Sequence, residues 1–193
     1  TSFVSASIDS IQLRDFDRQI DKHIFIDEIQ LFQPNIDVFK DKNYPDNQEY
    51  MAILVDLLQE LEIPVYVRTM ELNNMFIKYT ELANEAKEAG ALFFSEANAT
   101  ISNITNVKDS LQLSGNMLIE AEAKFYGKGI LKTSMHYDML SSSGQFGVKG
   151  SLSSMNLVKV NAILSKLLPV KIKSGQLDNL HFNFSGTRSH SEG

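Results

Sequence analysis

The sequence predicts a β-rich α+β chain, a curved and mainly antiparallel sheet carrying two short amphipathic helices. Three observations predict it. Apolar and polar residues alternate with period two over long stretches, the mark of strands with one buried and one wet face. Two segments change to helical period and run into a proline. Four strand-like segments share the spacing apolar-x-x-apolar-x-apolar, and one extra residue between two period-two runs is what a β-bulge inserts, so the sheet should bend.

The first shared spacing is Ile8, Ile11, Leu13, preceded by Ala6; the second is Ile26, Ile29, Leu31, preceded by Ile24. A helix is then expected near residues 47 to 61. Met51, Leu54, Val55, Leu58 and Leu61 fall at helical spacing, Asp46 or Asn47 caps the start, and Pro64 lies beyond the end. The strand after Pro64 carries the third spacing, Val67, Met70, Leu72.

The cleanest alternation runs from Leu111 to Phe125. Leu113, Met117, Ile119, Ala121, Ala123 and Phe125 share one face, and only Leu118 breaks the polar face opposite. The beat resumes at Leu131, Met135, Tyr137 and Met139. "SSSG" makes a turn in which Gly144 is free to take positive φ, and Phe146, Val148 and Leu152 form a third strand of the meander. A second helix is expected near residues 155 to 167, capped by Ser153 or Ser154 and stopped by Pro169, with a strand starting at Val170 and Ile172. In that strand the fourth spacing, Leu177, Leu180, Phe182, follows a slip at which Gly175 is expected to serve as a structural bulge residue. Leu177 and Leu180 differ in parity, so a further irregularity is expected near Asp178 and Asn179. Residues 1 to 187 read as one β-groove segment and 188 to 193 as a polar, disordered tail.

Composition narrows the function. A chain of 193 residues, 43% of them hydrophobic, can bury a real core. A net charge of −6 without clustered Lys or Arg argues against nucleic acid as a partner. The absence of Cys removes disulfides, thiolate metal sites and a cysteine nucleophile. The chain opens at Thr1 with no signal peptide or apolar span, and is taken as an excised segment of a longer protein.

No catalytic or metal motif stands out. His23, His136, His181 and His190 fall at unrelated spacings. Asp15, Asp17 and Asp21, like Asp41, Asp46 and Glu49, depart from the calcium-loop pattern. "YGKGI" has no helix after it to make a phosphate cradle. No cofactor and no metal are expected.

The stretch "GQFGVKGSLSSMNLVKVNAILSKLLPVKIKSGQLDNLHFNFSGT" resembles the repeat unit of the AsmA-like family of bacterial envelope proteins, which includes TamB-type relatives. A strand ends in Gly-Ser-Leu; a helix with Asn161, Ile163 and Leu164 follows; after a Pro comes Ile-x-Ser-Gly-x-Leu-x-x-Leu-x-Phe-x-Phe-x-Gly. The upstream "ASIDSIQLRDFDRQIDKHIFIDEIQLFQPNIDVFKD" is similar to strand pairs of the same family. The resemblance implies a non-enzymatic, periplasmic protein of a Gram-negative cell envelope. Its inner-membrane anchor would lie outside this segment, and repeating β-grooves would carry phospholipid between the inner and outer membranes. Neighbouring repeats of the same chain would be its structural partners.

On this reading the groove candidates are Leu113, Met117, Ile119, Phe125, Met135, Tyr137, Met139, Phe146, Val148, Leu180, Phe182 and Phe184. Three methionines among them suit an adaptable lipid surface and equally fill gaps in an ordinary core. The alternative is a structural or protein-interaction module with a closed core, whose sheet edges pair with other strands and serve outer-membrane biogenesis.

Overall fold

The computed structural model describes residues 3–18, 24–44, 58, 60–107, 116–141, 143–187 and 190–193. In chain order its strands are β1 (Phe3–Ser7), β2 (Ser10–Arg18), β3 (Ile24–Phe32), β4 (Asn35–Asp41), β5 (Val65–Leu82), β6 (Gly90–Thr105), β7 (Met117–Phe125), β8 (Gly129–Tyr137) and β9 (Phe146–Leu152). After them come β10 (Met155–Asn156), the helix α1 (Asn161–Leu167), β11 (Gln176–Leu177), β12 (Leu180–Gly186) and β13 (Ser191–Glu192). All but β10 and β11 join one curved, unclosed sheet.

The sheet is mixed. β3 and β4 lie end to end along one side of the 18-residue β5 and run parallel to it. Every other neighbouring pair in the sheet is antiparallel, from β5–β6 through the β7–β8–β9 meander to β12. β2 and β1 pair in turn with β3 and β4 and form the outer edge.

Two lines of distortion bend this sheet. The first crosses three strands at Gln33, Asn74 and Glu96, which all sit at positive φ (51, 54 and 50°). The Gln33 N–H donates to Asn73 O, the Asn74 N–H to Asn98 Oδ1, and Asn98 Nδ2 to Glu96 O, so the three irregular residues are tied side by side. Left-handed backbone at a non-glycine residue costs on the order of 1 kcal/mol or more, and these bonds offset it. The β5–β6 and β6–β7 registers shift here, as bulges require.

The second line answers the repeated sequence spacing. Ile26, Ile29 and Leu31 of β3 lie directly opposite Val67, Met70 and Leu72 of β5, so two copies of the spacing are in register on adjacent strands. On the far side Val67 faces Ile104 and Met70 faces Ile101, the same three-residue step in β6, with Asn103 at φ 61°. Residue offsets are unchanged through the slip, so no strand gains a residue on its neighbour here. The strands swap faces together, and a shared distortion replaces the expected one-sided bulge.

The expected helix at 47 to 61 falls largely outside the described residues; Leu58 is helical and packs on the core. The second expected helix starts later than 155. Met155 and Asn156 pair with Leu177 and Gln176 in a two-stranded sheet, a 3-10 turn covers Leu157–Val160 with Asn156 capping the Val158 N–H, and α1 proper is Asn161–Leu167. The strand expected at Val170 and Ile172 does not form. Asn161 takes over its hydrogen bonding: Nδ2 donates to Ile172 O at 2.8 Å and Oδ1 accepts from Ile172 N–H at 2.9 Å.

Gly175 does sit at positive φ, +159°, but outside any bulged strand of the main sheet. Its carbonyl accepts from the Leu157 N–H, anchoring the link before β11. The parity conflict between Leu177 and Leu180 is resolved because they belong to different sheets, with Asp178 and Asn179 as the crossing. At the end of the chain β13 pairs with β12 through Ser185–Glu192 and Gly186–Ser191, within the stretch read as a tail.

Candidate functional site

Register places the apolar side chains of eight strands in one line. Leu13, Ile29, Met70, Ile101, Ile119, Met135, Val148 and Phe184 are successive cross-strand partners from β2 to β12. Seven spacings of about 4.8 Å make the line about 34 Å long. A second line two residues along runs Ile11, Leu31, Leu72, Ala99, Ala121, Thr133, Gly150 and Phe182, with small side chains in its middle.

Two flanks rise beside these lines. At one end of the strands Ile26, Val67, Ile104, Met117, Tyr137 and Met139 form a buried cluster against which Leu58 packs. At the other end α1 stands on β6: a Cβ built at Gly90 would lie 2.9 Å from the Ile163 carbonyl oxygen, so only glycine admits the helix this closely. Between the flanks Ile29, Leu31, Met70, Leu72, Ile119 and Met135 remain half-buried. Past the first bend line the same face continues through Met75, Ala97, Ala123, Ile77 and Phe94. Among the described residues the result is an apolar band across the strands, with the buried cluster at one strand end and α1 at the other.

Glycines near the β12 edge are filled by rings from the next strand. Phe182 lies over its partner Gly150 and Phe146 over its partner Gly186, with ring carbons 2.5 and 3.0 Å from where a Cβ would be. His136 covers Gly147 in the same way on the opposite face. These pairs hold the aromatic rings flat along the strand.

The reverse face carries ion pairs beside the stacked rings Phe25–Tyr66 and Phe76–Phe93. Arg14–Glu28, Lys78–Asp37 and Lys132–Glu122 are directly opposed cross-strand pairs, and Arg68–Asp27 and Lys124–Glu96 join them. Exposed pairs of this kind contribute at most about 1 kcal/mol each, so they set which side meets water more than they hold the fold. A cleft of about 600 Å³ on this face is lined by Glu71, Thr100, Glu120, Ser134 and Lys149 together with Leu72, Ala99 and Ala121.

Among the described residues, two ion pairs stand at the α1 end of the apolar band: Lys166 of α1 with Glu88, and Lys42 with Glu81. Glu81 is directly opposite Gly90 and shares the parity of Tyr79 and Ile77, so it faces α1. It is buried, 7% exposed. Burial pushes its carboxyl up, but hydrogen bonds from Lys42 and Tyr79 and the charges of Lys42 and Lys40 outweigh that and hold it below the ordinary glutamate value. Lys42 Nζ approaches to 2.6 Å.

Of the residues singled out in the sequence, Met117, Tyr137, Met139 and Val148 are buried in the floor and flank. Ile119, Met135 and Phe146 pack beside them, and Phe125 pairs with Phe94 past the bend. Phe182 is half-buried, while Leu180 and Phe184 are exposed at the β12 edge. Leu113 lies outside the described residues. Met70, Leu72, Ile101, Ala99 and Glu81 of β5 and β6 were not singled out, although the spacing Val67, Met70, Leu72 carried the signal. Among the described residues no three His, Asp or Glu side chains gather as a metal site would require, and no helix is long and apolar enough to cross a membrane.

Comparison with protein-family models, with curated proteins and with solved structures finds no match to this chain.

Proposed function

We propose that this chain is a non-enzymatic groove segment that holds or conducts the acyl chains of phospholipid, as its resemblance to AsmA-like envelope proteins implies. The observation that carries the reading is the pair of apolar lines crossing eight strands and left half-buried between two flanks. A closed core would bury Ile29, Met70, Ile119 and Met135; their half-buried state beside the buried cluster supports an open trough. Each methylene buried on them contributes about 0.8 kcal/mol before ordering costs, and a preformed sheet keeps those costs low. Among the described residues the sheet does not close, so lines running across its strands suit passage from one sheet edge to the other. Periplasmic residence, a membrane anchor elsewhere in a longer chain and neighbouring repeats belong to the same proposal.

The test is native mass spectrometry of the chain purified without detergent. Phospholipid at stoichiometric occupancy supports the reading, and its loss in Phe182→Glu but not in Glu120→Lys, on the wet face, supports the placement. A folded Phe182→Glu protein that carries lipid normally removes Phe182 from the site.

A second reading is favoured by the outer edge. Val4, Ile11 and Leu13 on β1 and β2 are 67, 58 and 52% exposed, and among the described residues their strands have no outer neighbour. Strand addition by a partner would cover them, making the chain a protein-interaction module.

A further inference from the structure

We propose that Lys42, with Lys40 beside it, seats the anionic head group, phosphate or carboxylate, of an amphiphile whose hydrocarbon lies in the trough. The inference rests on the trough reading above and adds a fixed polar end to it.

The geometry begins with position. Lys40 is the register partner of Glu81, and Glu81 that of Gly90, on which α1 rests. Going inward along the strands from this charged row, Val38, Tyr79 and Leu92 form the next row on the same face, then Ile36, Ile77 and Phe94. The surface thus passes from charged to apolar within four residues, about 13 Å. The other flank, at Met117, Tyr137 and Met139, is apolar. One polar end and one apolar end is the pattern an amphiphile presents.

Chemistry supports the same placement. Among the described ion pairs, Arg14–Glu28, Arg68–Asp27, Lys78–Asp37, Lys124–Glu96 and Lys132–Glu122 serve the reverse face, whereas Lys42–Glu81 stands on the trough side and Lys166–Glu88 ties α1 to the turn before β6. A buried carboxylate is costly and is kept where it is paired and hydrogen-bonded. Glu81 has both, from Lys42 and from the Tyr79 hydroxyl, and so fixes the lysine on the α1 flank of the trough. An ammonium has three donors. Glu81 accepts at 2.6 Å, and the Lys42 side chain is still 47% exposed, so donors remain toward solvent on the α1 flank of the trough.

The test uses two fluorescent probes with the same labelled acyl chain, phosphatidylglycerol and the uncharged diacylglycerol, titrated into the purified chain, with inorganic phosphate as competitor. The anionic probe should bind about tenfold tighter, the scale of one charge-assisted contact. Lys42→Gln should bring the two probes within about twofold, the scale of a lost charged donor, and Lys42→Arg should keep the preference. Because Lys42→Gln strands a buried carboxylate, Lys42→Gln/Glu81→Gln is measured beside it and should show the same loss in a folded protein. A folded double variant that retains the preference overturns the proposal. So does inorganic phosphate that binds the wild-type chain as tightly as the anionic probe, since the acyl chain then contributes nothing. Equal binding of both probes by the wild-type chain overturns the head-group seat and leaves the trough standing; binding of neither overturns both.

Discussion

Arg68 holds Asp27 with two parallel hydrogen bonds, Nε to Oδ1 at 2.5 Å and the second guanidinium nitrogen to Oδ2 at 2.6 Å, at the point where β3 and β5 swap faces together. The pair staples the distortion from the wet side while Ile26 and Val67 close it from the core side. The hydrogen bond from Arg68 holds the Asp27 carboxyl below its ordinary value. A group with a depressed folded pKa contributes stability above its unfolded value, about 3.9, and loses it as pH falls through the folded value. Arg68→Gln should therefore lower the melting temperature by a small and constant amount near neutral pH, and the gap from wild type should close below about pH 3.9. A gap that persists undiminished in strong acid would show that Arg68 acts through packing alone.

Ile119 and Glu120 are neighbours on β7 with opposite fates. Ile119 packs beside the buried cluster between Ile101 and Met135, and Glu120 is exposed on the wet face. Ile119→Asp should cost about 3 kcal/mol or more, as burying an unpaired carboxylate does, whereas Glu120→Lys should stay within about 0.5 kcal/mol. Urea denaturation of both proteins decides it; equal midpoints would refute the register.

Two glycines should respond oppositely in cause. At Gly150 a Cβ would meet the Lys132 carbonyl oxygen and the Phe182 ring, both at 2.5 Å. Gly150→Val should cost about 1 to 3 kcal/mol or more through overpacking and displace the Phe182 ring. At Gly127 nothing lies within 4 Å but φ is +66°, so Gly127→Ala should cost about 1 kcal/mol from backbone strain alone. Denaturation gives both costs; an emission change from a tryptophan placed at 182 in the Gly150→Val background reports the displacement, and an unmoved ring would contradict the first.

Asn161 replaces a strand's hydrogen bonds for the segment after α1. Asn161→Ala removes two part-buried bonds to Ile172, each worth about 0.5 to 1.5 kcal/mol. The expected outcome is faster trypsin cleavage after Lys171 and Lys173, with cleavage elsewhere little changed. Equal rates in mutant and wild type would mean other contacts hold this segment.

Much of the meander was legible in the sequence. β7, β8 and β9 alternate cleanly because each has one wet face, and the repeated spacing announced the second line of distortion, since a parity slip in the chain is a parity slip in the sheet. β6 was less legible. Its inward residues, Leu92, Phe94, Ala97, Ala99, Ile101 and Ile104, change step at Glu96 and again at Asn103, so period two survives only in short pieces. The parallel pairing with β5 carries no local mark at all, because it is set between segments far apart in the chain. The strand expected at Val170 failed for a different reason: its alternation is real, but a single side chain, Asn161, supplies the partners that a neighbouring strand would have given. At the site, the apolar lines were half legible through β7, β8, β9 and β12. The charged end at Lys42 and Glu81 was not, since two residues 39 positions apart meet only through β4–β5 pairing.

Every partner in the β3–β5 and β4–β5 ladders is 41 residues away in the chain, whereas β5 turns into β6 through a connection of seven residues. Closing the longer loop costs about 1.5 kcal/mol more in chain entropy, by the logarithmic dependence on length. The parallel ladders are therefore expected to close after the β5–β9 hairpins during refolding. Until they do, the long flank of β5 waits as an unpaired edge, and with it the two apolar lines stop short of β3 and β2. A refolding chain passes through a stage in which the β5 side of its sheet ends in open hydrogen-bonding groups, so its yield should fall steeply with concentration.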